Sequence, residues 1–157
     1  LSLTRQGVPP LNRSLFASGE GVRRGAYVLA EASGAVPDVI LIASGSEIGI
    51  ALEAKEVLEA EGTCTRVVSM PSWHLFGQQD QVYRDSVLLP DVRARVSVEA
   101  GSTFGWARWI GEIGAAVGID HFGASAPSEV LYEHFGVTAE EVVSAARTSL
   151  KRVGVGV

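Results

Sequence analysis

Residues 38–62 read DVILIASGSEIGIALEAKEVLEAEG, and this stretch decides the fold. It contains a continuous apolar run, residues 39–43, that is rich in β-branched side chains and too short to be a membrane helix. Such a run is typical of a strand buried on both faces. A serine- and glycine-containing turn follows, and then a helical pattern that Gly62 ends as a C′ glycine. The stretch therefore predicts half of a βαβ unit.

The turn after the strand contains two candidate helix caps. Ser44 and Glu47 have the spacing of a capping box, and Ser46 is placed to cap directly. The helix pattern predicts a buried face made of Ile50, Ala54, Val57 and Leu58.

The composition bounds the class of protein. The chain has 157 residues, 46% of them hydrophobic and 20% charged, which suits one globular domain. Its net charge of -5 argues against a nucleic-acid partner, which would require a basic face. The single Cys64 indicates a reducing compartment, so we predict a cytoplasmic protein with no membrane partner. Because the first residue is not Met, we expect a piece of something longer.

Strands and helices alternate along the remaining chain. We predict further strands at residues 26–30, 65–70, 94–98 and 114–118. Helices are predicted at residues 78–87, at 106–110, from Pro127 to Gly136, and from Thr138 onward. Thr138 and Glu141 form a capping box. The buried stripe of the last helix is predicted to be Ala139, Val142, Val143, Ala146 and Leu150. The short connection 31–38 predicts that the first strand is the antiparallel neighbour of strand 39–43. The class is therefore α/β, with one antiparallel strand on a mainly parallel sheet.

Candidate site residues follow the strands, because ligands of open α/β sheets bind at the carboxyl ends of the strands. Ser44, Gly45 and Ser46 form a turn whose backbone N–H groups suit a small anion. The turn lacks a GxGxxG motif and a P-loop lysine, and Glu47 would repel a phosphate, so a plain helix cap is favoured. Glu99 ends another strand, and we expect it to pair with loop N–H groups or an arginine. The histidines are too widely spaced to predict a metal site, and no catalytic residue is predicted.

Several segments, in order, resemble the C-terminal domain of transketolase. They are residues 2–6 (SLTRQ), 25–29 (GAYVL), 43–47 (ASGSE), 66–72 (RVVSMPS), 83–88 (YRDSVL), 98–101 (VEAG), 122–127 (FGASAP) and 135–138 (FGVT). Residues 72–77 (SWHLFG) depart from the family pattern, so we expect that loop to differ.

The resemblance implies a three-layer α/β/α sandwich with a five-stranded, mostly parallel sheet whose first strand is antiparallel. It implies a domain at 25–152, preceded at 1–24 by an interdomain linker and the end of the preceding domain. Residues 153–157 (VGVGV) match no family segment, and we expect them to form a flexible tail. The resemblance further implies a transferase that moves a two-carbon ketol unit between sugar phosphates of the pentose phosphate pathway. Thiamine diphosphate and Mg²⁺ (or Ca²⁺) would be held by preceding domains of a homodimer. Arg5 matches the family arginine that holds the sugar phosphate, while this domain mainly serves assembly and is inactive alone.

Two alternatives remain open. One is a stand-alone regulatory α/β module that binds a small anion at the turn of Ser44, Gly45 and Ser46. The other is a related thiamine enzyme, such as a 2-oxoacid dehydrogenase component or deoxyxylulose phosphate synthase, although residues 122–127 favour transketolase.

Overall fold

The computed structural model describes residues 6–154, whose strands form a single five-stranded sheet. The strands in chain order are β1 (Tyr27–Ala30), β2 (Val39–Ala43), β3 (Thr65–Ser69), β4 (Arg95–Val98) and β5 (Ala115–Val117). Their order in space is β1-β3-β2-β4-β5, with β1 antiparallel to β3 and every other pairing parallel.

Helices cover both faces of the sheet. They are α1 (Ile48–Ala60), α2 (Trp73–Gly77), α3 (Gln81–Val87), α4 (Ala107–Ile110), α5 (Ser128–Phe135) and α6 (Ala139–Val153). Residues of α1 and α6 pack on one face, and residues of α2, α3 and α4 pack on the other. The predicted three-layer α/β/α sandwich is therefore confirmed. Within residues 6–154, no helix has the length and apolar character needed to cross a membrane.

β2 is the centre of the molecule. All five of its residues are inaccessible to solvent, as the uninterrupted apolar run predicts. Because side chains alternate along a strand, Val39, Leu41 and Ala43 enter the core beneath α1 and α6. Ile40 and Ile42 enter the second core, beneath α2, α3 and α4. One short strand thus contributes to both hydrophobic cores.

The predicted pairing of β1 with β2 is wrong. β1 runs antiparallel, as predicted, but its partner is β3, with Tyr27 opposite Ser69 and Val28 opposite Val68. β2 already has parallel neighbours on both sides, β3 and β4, so no edge of β2 is left for β1. The connection 31–38 passes the amino end of β3 instead. It needs to span only about 10 Å, because neighbouring strands lie about 4.8 Å apart.

The buried face of α1 differs from the predicted one. Ala54 and Leu58 are fully buried, as predicted, but Val57 is 41% exposed. Ile48 and Ala51 complete the buried face instead. Val57 lies at the border between the buried and the exposed face of α1. Its neighbour Leu58 points to the sheet, and the spacing of apolar residues alone does not predict which of the two is buried.

The last helix agrees with its prediction. The hydroxyl of Thr138 accepts a hydrogen bond from the backbone N–H of Glu141 at 3.3 Å, which confirms the cap. All the residues predicted for its buried stripe are buried: Ala139, Val142, Val143, Ala146 and Leu150.

The predicted helix 78–87 is shorter than expected. α3 begins only at Gln81, after Asp80, whose carboxylate caps it. The preceding residues form α2, a separate one-turn helix that was not predicted and that Ser72 caps. This helix occupies the segment that departs from the family pattern. It buries Phe76 completely, which explains the large apolar residue there.

Residues 6–24 lie against the domain. Leu11 and Phe16 are partly buried on the core beneath α1 and α6, and a 3₁₀ helix (Gly19–Arg24) leads into β1. Gly25 ends that helix with φ +84°, and a Cβ atom there would lie 2.3 Å from the backbone nitrogen of Phe76. Glycine is therefore required at this position for both conformation and space.

Glu59 joins three parts of the fold through its carboxylate. It accepts hydrogen bonds from Lys55 Nζ at 2.7 Å and from the backbone N–H groups of Thr65 at 2.8 Å and Ser33 at 3.0 Å, and also from the Ser33 hydroxyl. Burial acts to raise the pKa of Glu59, but these donors outweigh it and lower the pKa to about 2. The charged carboxylate therefore connects α1, the β1–β2 connection and the start of β3.

Replacing Glu59 with glutamine is expected to destabilise the chain at neutral pH by about 3 kcal/mol at most, the free energy equivalent of lowering its pKa from 4.5 to about 2. Because the folded pKa lies below the usual value of 4.5, the stabilisation is complete above pH 4.5. It is lost as the pH falls toward about 2. Urea denaturation of wild type and Glu59→Gln across this pH range measures the difference.

The matched control is Glu56→Gln, which removes an exposed carboxylate from the same helix. Its unfolding free energy is expected to follow that of the wild type at every pH. A stability difference between Glu59→Gln and wild type that is the same at pH 7 and pH 2 would contradict this role of the carboxylate.

Candidate site at the carboxyl edge of the sheet

Four parallel strands end at the same edge of the sheet. The last residues of β2, β3, β4 and β5 are register partners of one another. The segments that follow them, starting at Ser44, Met70, Glu99 and Gly118, therefore begin side by side. This is the edge where open α/β sheets bind ligands.

The turn after β2 is not capped as the sequence predicted. Ser44 makes no side-chain hydrogen bond to the helix, and Gly45–Glu47 form a single 3₁₀ turn that leads into α1. Gly45 has φ +56°, a conformation that favours glycine. Ser46 Oγ donates to Glu47 Oε1 at 3.0 Å instead of capping the helix. The capping-box prediction failed because a partner distant in sequence engages Glu47.

That partner is Tyr132, in the last turns of α5. Its hydroxyl donates a hydrogen bond to Glu47 Oε1 and also lies 3.3 Å from Ser46 Oγ. The same hydroxyl accepts a hydrogen bond from Gln6 Nε2 at 3.3 Å. Glu47 is only 7% exposed, so this buried carboxylate depends on its donors. Three distant parts of the chain meet here through a continuous row of hydrogen bonds.

The chemistry of Tyr132 suits a donor that stays protonated. Burial raises its pKa, and so does the hydrogen bond that it donates to Glu47, while contacts with Ser46 and Gln6 act in the opposite direction. A phenol is neutral at physiological pH even at its ordinary pKa, and the raised pKa favours this form further, with its single proton directed to the carboxylate.

A small anion gains no support at this turn. The hydroxyl of Ser46 is already bonded to a carboxylate, and that carboxylate lies where the anion's charge would be. Anion binding by Ser44, Gly45 and Ser46 stays a prediction that the structure does not favour.

Glu99, after β4, has a different partner from those predicted. Its Oε2 accepts a hydrogen bond from the indole Nε1 of Trp106 at 2.8 Å, rather than from a loop backbone group or an arginine. Trp106 is 2% exposed and precedes α4. Glu99 therefore fixes the loop between β4 and α4, and its charge faces a neutral donor in the protein.

A third carboxylate at this edge was missed by the sequence analysis. Asp120, after β5, accepts hydrogen bonds from Ser102 Oγ at 3.0 Å and from the N–H and hydroxyl of Thr103 at 2.8 and 2.6 Å. The hydroxyl and N–H of Thr103 are the main causes that lower its pKa, followed by Ser102. It lines a pocket of about 340 Å³ beside Phe122, whose side chain is 98% exposed. The sequence did not single out Asp120, because its hydrogen-bond donors, Ser102 and Thr103, lie in a different loop.

The predicted site residues are thus only partly brought together. Ser46 and Glu99 lie after adjacent strands, but their side chains have different partners: Ser46 contacts Glu47 and Tyr132, and Glu99 accepts from Trp106. Arg5 lies outside the described residues. Residues 6–154 contain no group of three or more His, Cys, Asp or Glu side chains placed to hold a metal ion. The carboxyl edge accordingly carries hydrogen-bonded acids at positions 47, 99 and 120, a chemistry that holds loops together rather than binding phosphate.

Comparison with known proteins identifies the family. The family model described as the transketolase-like TK C-terminal domain matches residues 25–138. A chloroplastic transketolase of Craterostigma plantagineum is 54% identical over 148 residues, covering 94% of this chain and 28% of the relative. The chain thus spans under a third of that relative's length, and the resemblance found in the sequence is confirmed.

Solved structures agree with the sequence relatives. A transketolase from Leishmania mexicana superposes with a TM-score of 0.77 at 45% identity, covering 85% of this chain and 19% of that one. A split gene transketolase, solved as an inactive beta4 tetramer, gives a TM-score of 0.70 at 29% identity. The match covers 94% of this chain and 48% of that one.

The role assigned to Glu99 can be tested by removing its donor. Trp106→Phe is expected to lower the free energy of unfolding by about 1–3 kcal/mol through the loss of the hydrogen bond to the carboxylate, in addition to the cost of the smaller side chain. Thermal or urea unfolding of the chain measures the loss.

Trp109→Phe is the matched control. Trp109 is also buried, at 6% exposure, but its Nε1 has no hydrogen-bond partner among residues 6–154. The same substitution there removes comparable apolar area without breaking a hydrogen bond, so Trp106→Phe is expected to cost more. Equal costs for the two variants would show that Glu99 is not held in this way.

Proposed function

Because this chain belongs to the family of transketolase C-terminal domains, we propose that it works as part of a transketolase, which transfers a two-carbon ketol unit between sugar phosphates. The observation that carries the proposal is the 54% identity to a transketolase over nearly the whole chain. The fold supports it, since the same sandwich is found in solved transketolases. The proposed reaction belongs to the pentose phosphate pathway.

We propose that thiamine diphosphate and its divalent metal (Mg²⁺ or Ca²⁺) are bound by preceding domains and not by this one. The described residues do not fit the cofactor, because the carboxyl edge of their sheet carries three carboxylates that would repel a diphosphate. They also offer no cluster of three metal-ligating side chains within residues 6–154. No step of the reaction is therefore assigned to a residue between 6 and 154.

Arg5 is the one residue for which we propose direct contact with substrate. A guanidinium group presents paired N–H donors that match two phosphate oxygens, and it stays charged at all physiological pH values. The resemblance of residues 2–6 to the family segment supports this role. Its covalent neighbour Gln6 is hydrogen-bonded to Tyr132 at the carboxyl edge of the sheet.

We propose that the domain works in a homodimer, as the partner of the preceding domains of its own enzyme, with residues 1–24 as the interdomain linker, 25–152 as the domain and 153–157 as a tail. A cytoplasmic location is proposed from the single cysteine, Cys64. The split gene transketolase tetramer is described as inactive, and this chain covers 48% of the length of that protein. The inactivity of that tetramer supports the view that this domain does not suffice for catalysis.

The isolated chain of 157 residues is expected to show no ketol transfer. Because cofactor and catalytic groups are proposed to lie elsewhere, xylulose 5-phosphate and an aldose phosphate acceptor should remain unchanged with thiamine diphosphate and Mg²⁺ present. A coupled assay of product formation measures this, with the full-length enzyme as positive control. Turnover by the isolated chain would contradict the proposal.

A further inference from the structure

A pocket of about 210 Å³ on the side of the sheet that α2, α3 and α4 cover has three arginines in its wall. They are Arg84 of α3, Arg95 at the start of β4 and Arg108 of α4, and the pocket is called the arginine pocket below. Among the residues between 6 and 154 that line it, Asp85 alone is acidic. Three guanidinium charges against one carboxylate leave an excess of two positive charges, in a chain whose net charge is -5.

Contacts within the protein bring the three guanidinium groups close together. Arg84 Nη1 donates to the carbonyl oxygen of Gly77 at 3.0 Å, and Arg108 Nη2 lies 3.2 Å from the position that a Cβ atom on Gly77 would occupy. The guanidinium of Arg108 also lies over the ring of Trp109, 4.7 Å from its centroid. Arg95 Nη1 donates to the carbonyl oxygen of Trp109 at 2.9 Å. Gly77 and Trp109 are thus each contacted by two of the arginines.

The charges of these arginines are not neutralised by ion pairs within residues 6–154. Arg84 donates to a backbone carbonyl oxygen and, at 2.6 Å, to the amide oxygen of Gln81. Arg95 donates to four backbone carbonyl oxygens. The side chain of Arg108 has no hydrogen bond or ion pair in the described part of the chain, only its contact with an aromatic ring. All these partners are neutral, so the positive charge of the pocket remains.

Arg66 shows how the same chain neutralises another guanidinium in its interior. It donates to two backbone carbonyl oxygens and also forms an ion pair with Glu31 at 3.0 Å. Arg95 has the corresponding carbonyl contacts without such an ion pair. Burial lowers the pKa of Arg95, and the charge of Asp85 only partly opposes this effect. An anion in the pocket would supply the charge that Glu31 supplies to Arg66.

A phosphate group suits the pocket in hydrogen bonding, charge and size. A guanidinium group only donates, and its paired N–H groups match two oxygens of a phosphate dianion, which only accept. Two negative charges equal the excess of positive charge in the wall. The volume of about 210 Å³ is below the range of about 300–1,000 Å³ that larger ligands occupy. A small phosphate compound therefore fits, and a whole thiamine diphosphate does not.

We propose that the arginine pocket is a binding site for a phosphate group, carried by inorganic phosphate or by a small phosphate ester. Arg84 and Arg108 contact the phosphate directly, because each has N–H groups that no described residue occupies. Arg95 acts mainly through its charge, since carbonyl oxygens occupy most of its donors. The site uses none of the acids at positions 47, 99 and 120, and it does not depend on the proposed transketolase function.

The test is titration of the 157-residue chain with inorganic phosphate by isothermal calorimetry at low ionic strength. The wild type is expected to bind one phosphate with a Kd of about 1 mM or lower. Arg108→Gln should raise Kd about tenfold or more, because it removes a charged hydrogen-bond donor. Arg108 is exposed and has no hydrogen bond to lose within residues 6–154, so this variant should keep its fold, which circular dichroism checks.

Two further variants separate the pocket from general electrostatics. Arg152→Gln removes the same charge from an exposed position in α6 and should leave Kd within about twofold of the wild type. Asp85→Asn should lower Kd about threefold or more, because it removes the negative charge of the pocket and keeps an oxygen that can accept from Gln81.

Three results would each overturn the inference. They are a wild-type chain that binds no phosphate, an Arg108→Gln chain that binds no more weakly than Arg152→Gln, and an Asp85→Asn chain that binds no more tightly than the wild type.

Titrations with xylulose 5-phosphate and with xylulose distinguish the two sources of phosphate. A Kd for xylulose 5-phosphate below that for inorganic phosphate, with the difference lost in Arg108→Gln, would assign the site to a phosphate ester. A Kd equal to or above that for inorganic phosphate would assign it to inorganic phosphate. Xylulose has no phosphate, so it is expected not to bind, and binding as tight as that of its phosphate would contradict the inference.

Discussion

The complete burial of β2 is the constraint on which the rest of the structure depends. Its five side chains are all inaccessible, and each large one contributes about 1.5–3 kcal/mol when removed from water. Both faces of the strand must therefore be covered, here by helices, and its buried backbone groups need a hydrogen-bonded strand on each edge, here the parallel β3 and β4. The outer position of β1, beside β3, and the two separate cores follow from this requirement.

The same constraint explains the chemistry of the carboxyl edge. Since β2 ends in the middle of the sheet, the turn after it is enclosed by neighbouring segments, and Glu47 becomes a buried acid. A buried carboxylate needs donors, and Tyr132 and Ser46 supply them. Glu99 is partly exposed and Asp120 is exposed, and they too accept hydrogen bonds, from Trp106 and from the loop at 102–103. The acids at this edge therefore connect segments of the same domain.

Local features were predictable and non-local ones were not. The apolar run of β2, the Thr138 cap and the buried stripe of α6 depend on neighbours within one or two turns, so the sequence alone located them. The partner of β1 depends on which strand edges remain free, and the partner of Glu47 lies 85 residues away. Of the candidate site, Ser46 and Glu99 were placed at the correct edge of the sheet, but the donors that determine their chemistry were not predicted.

The central claim is that the complete burial of β2 determines the fold. The most direct test compares the free energy of unfolding of Leu41→Ala with that of Leu15→Ala, by urea denaturation. Leu41 is fully buried in β2, and its truncation is expected to cost about 2–5 kcal/mol. Leu15 is 73% exposed, so the same truncation there should change the stability by less than about 0.5 kcal/mol. Equal losses for the two variants would contradict the account.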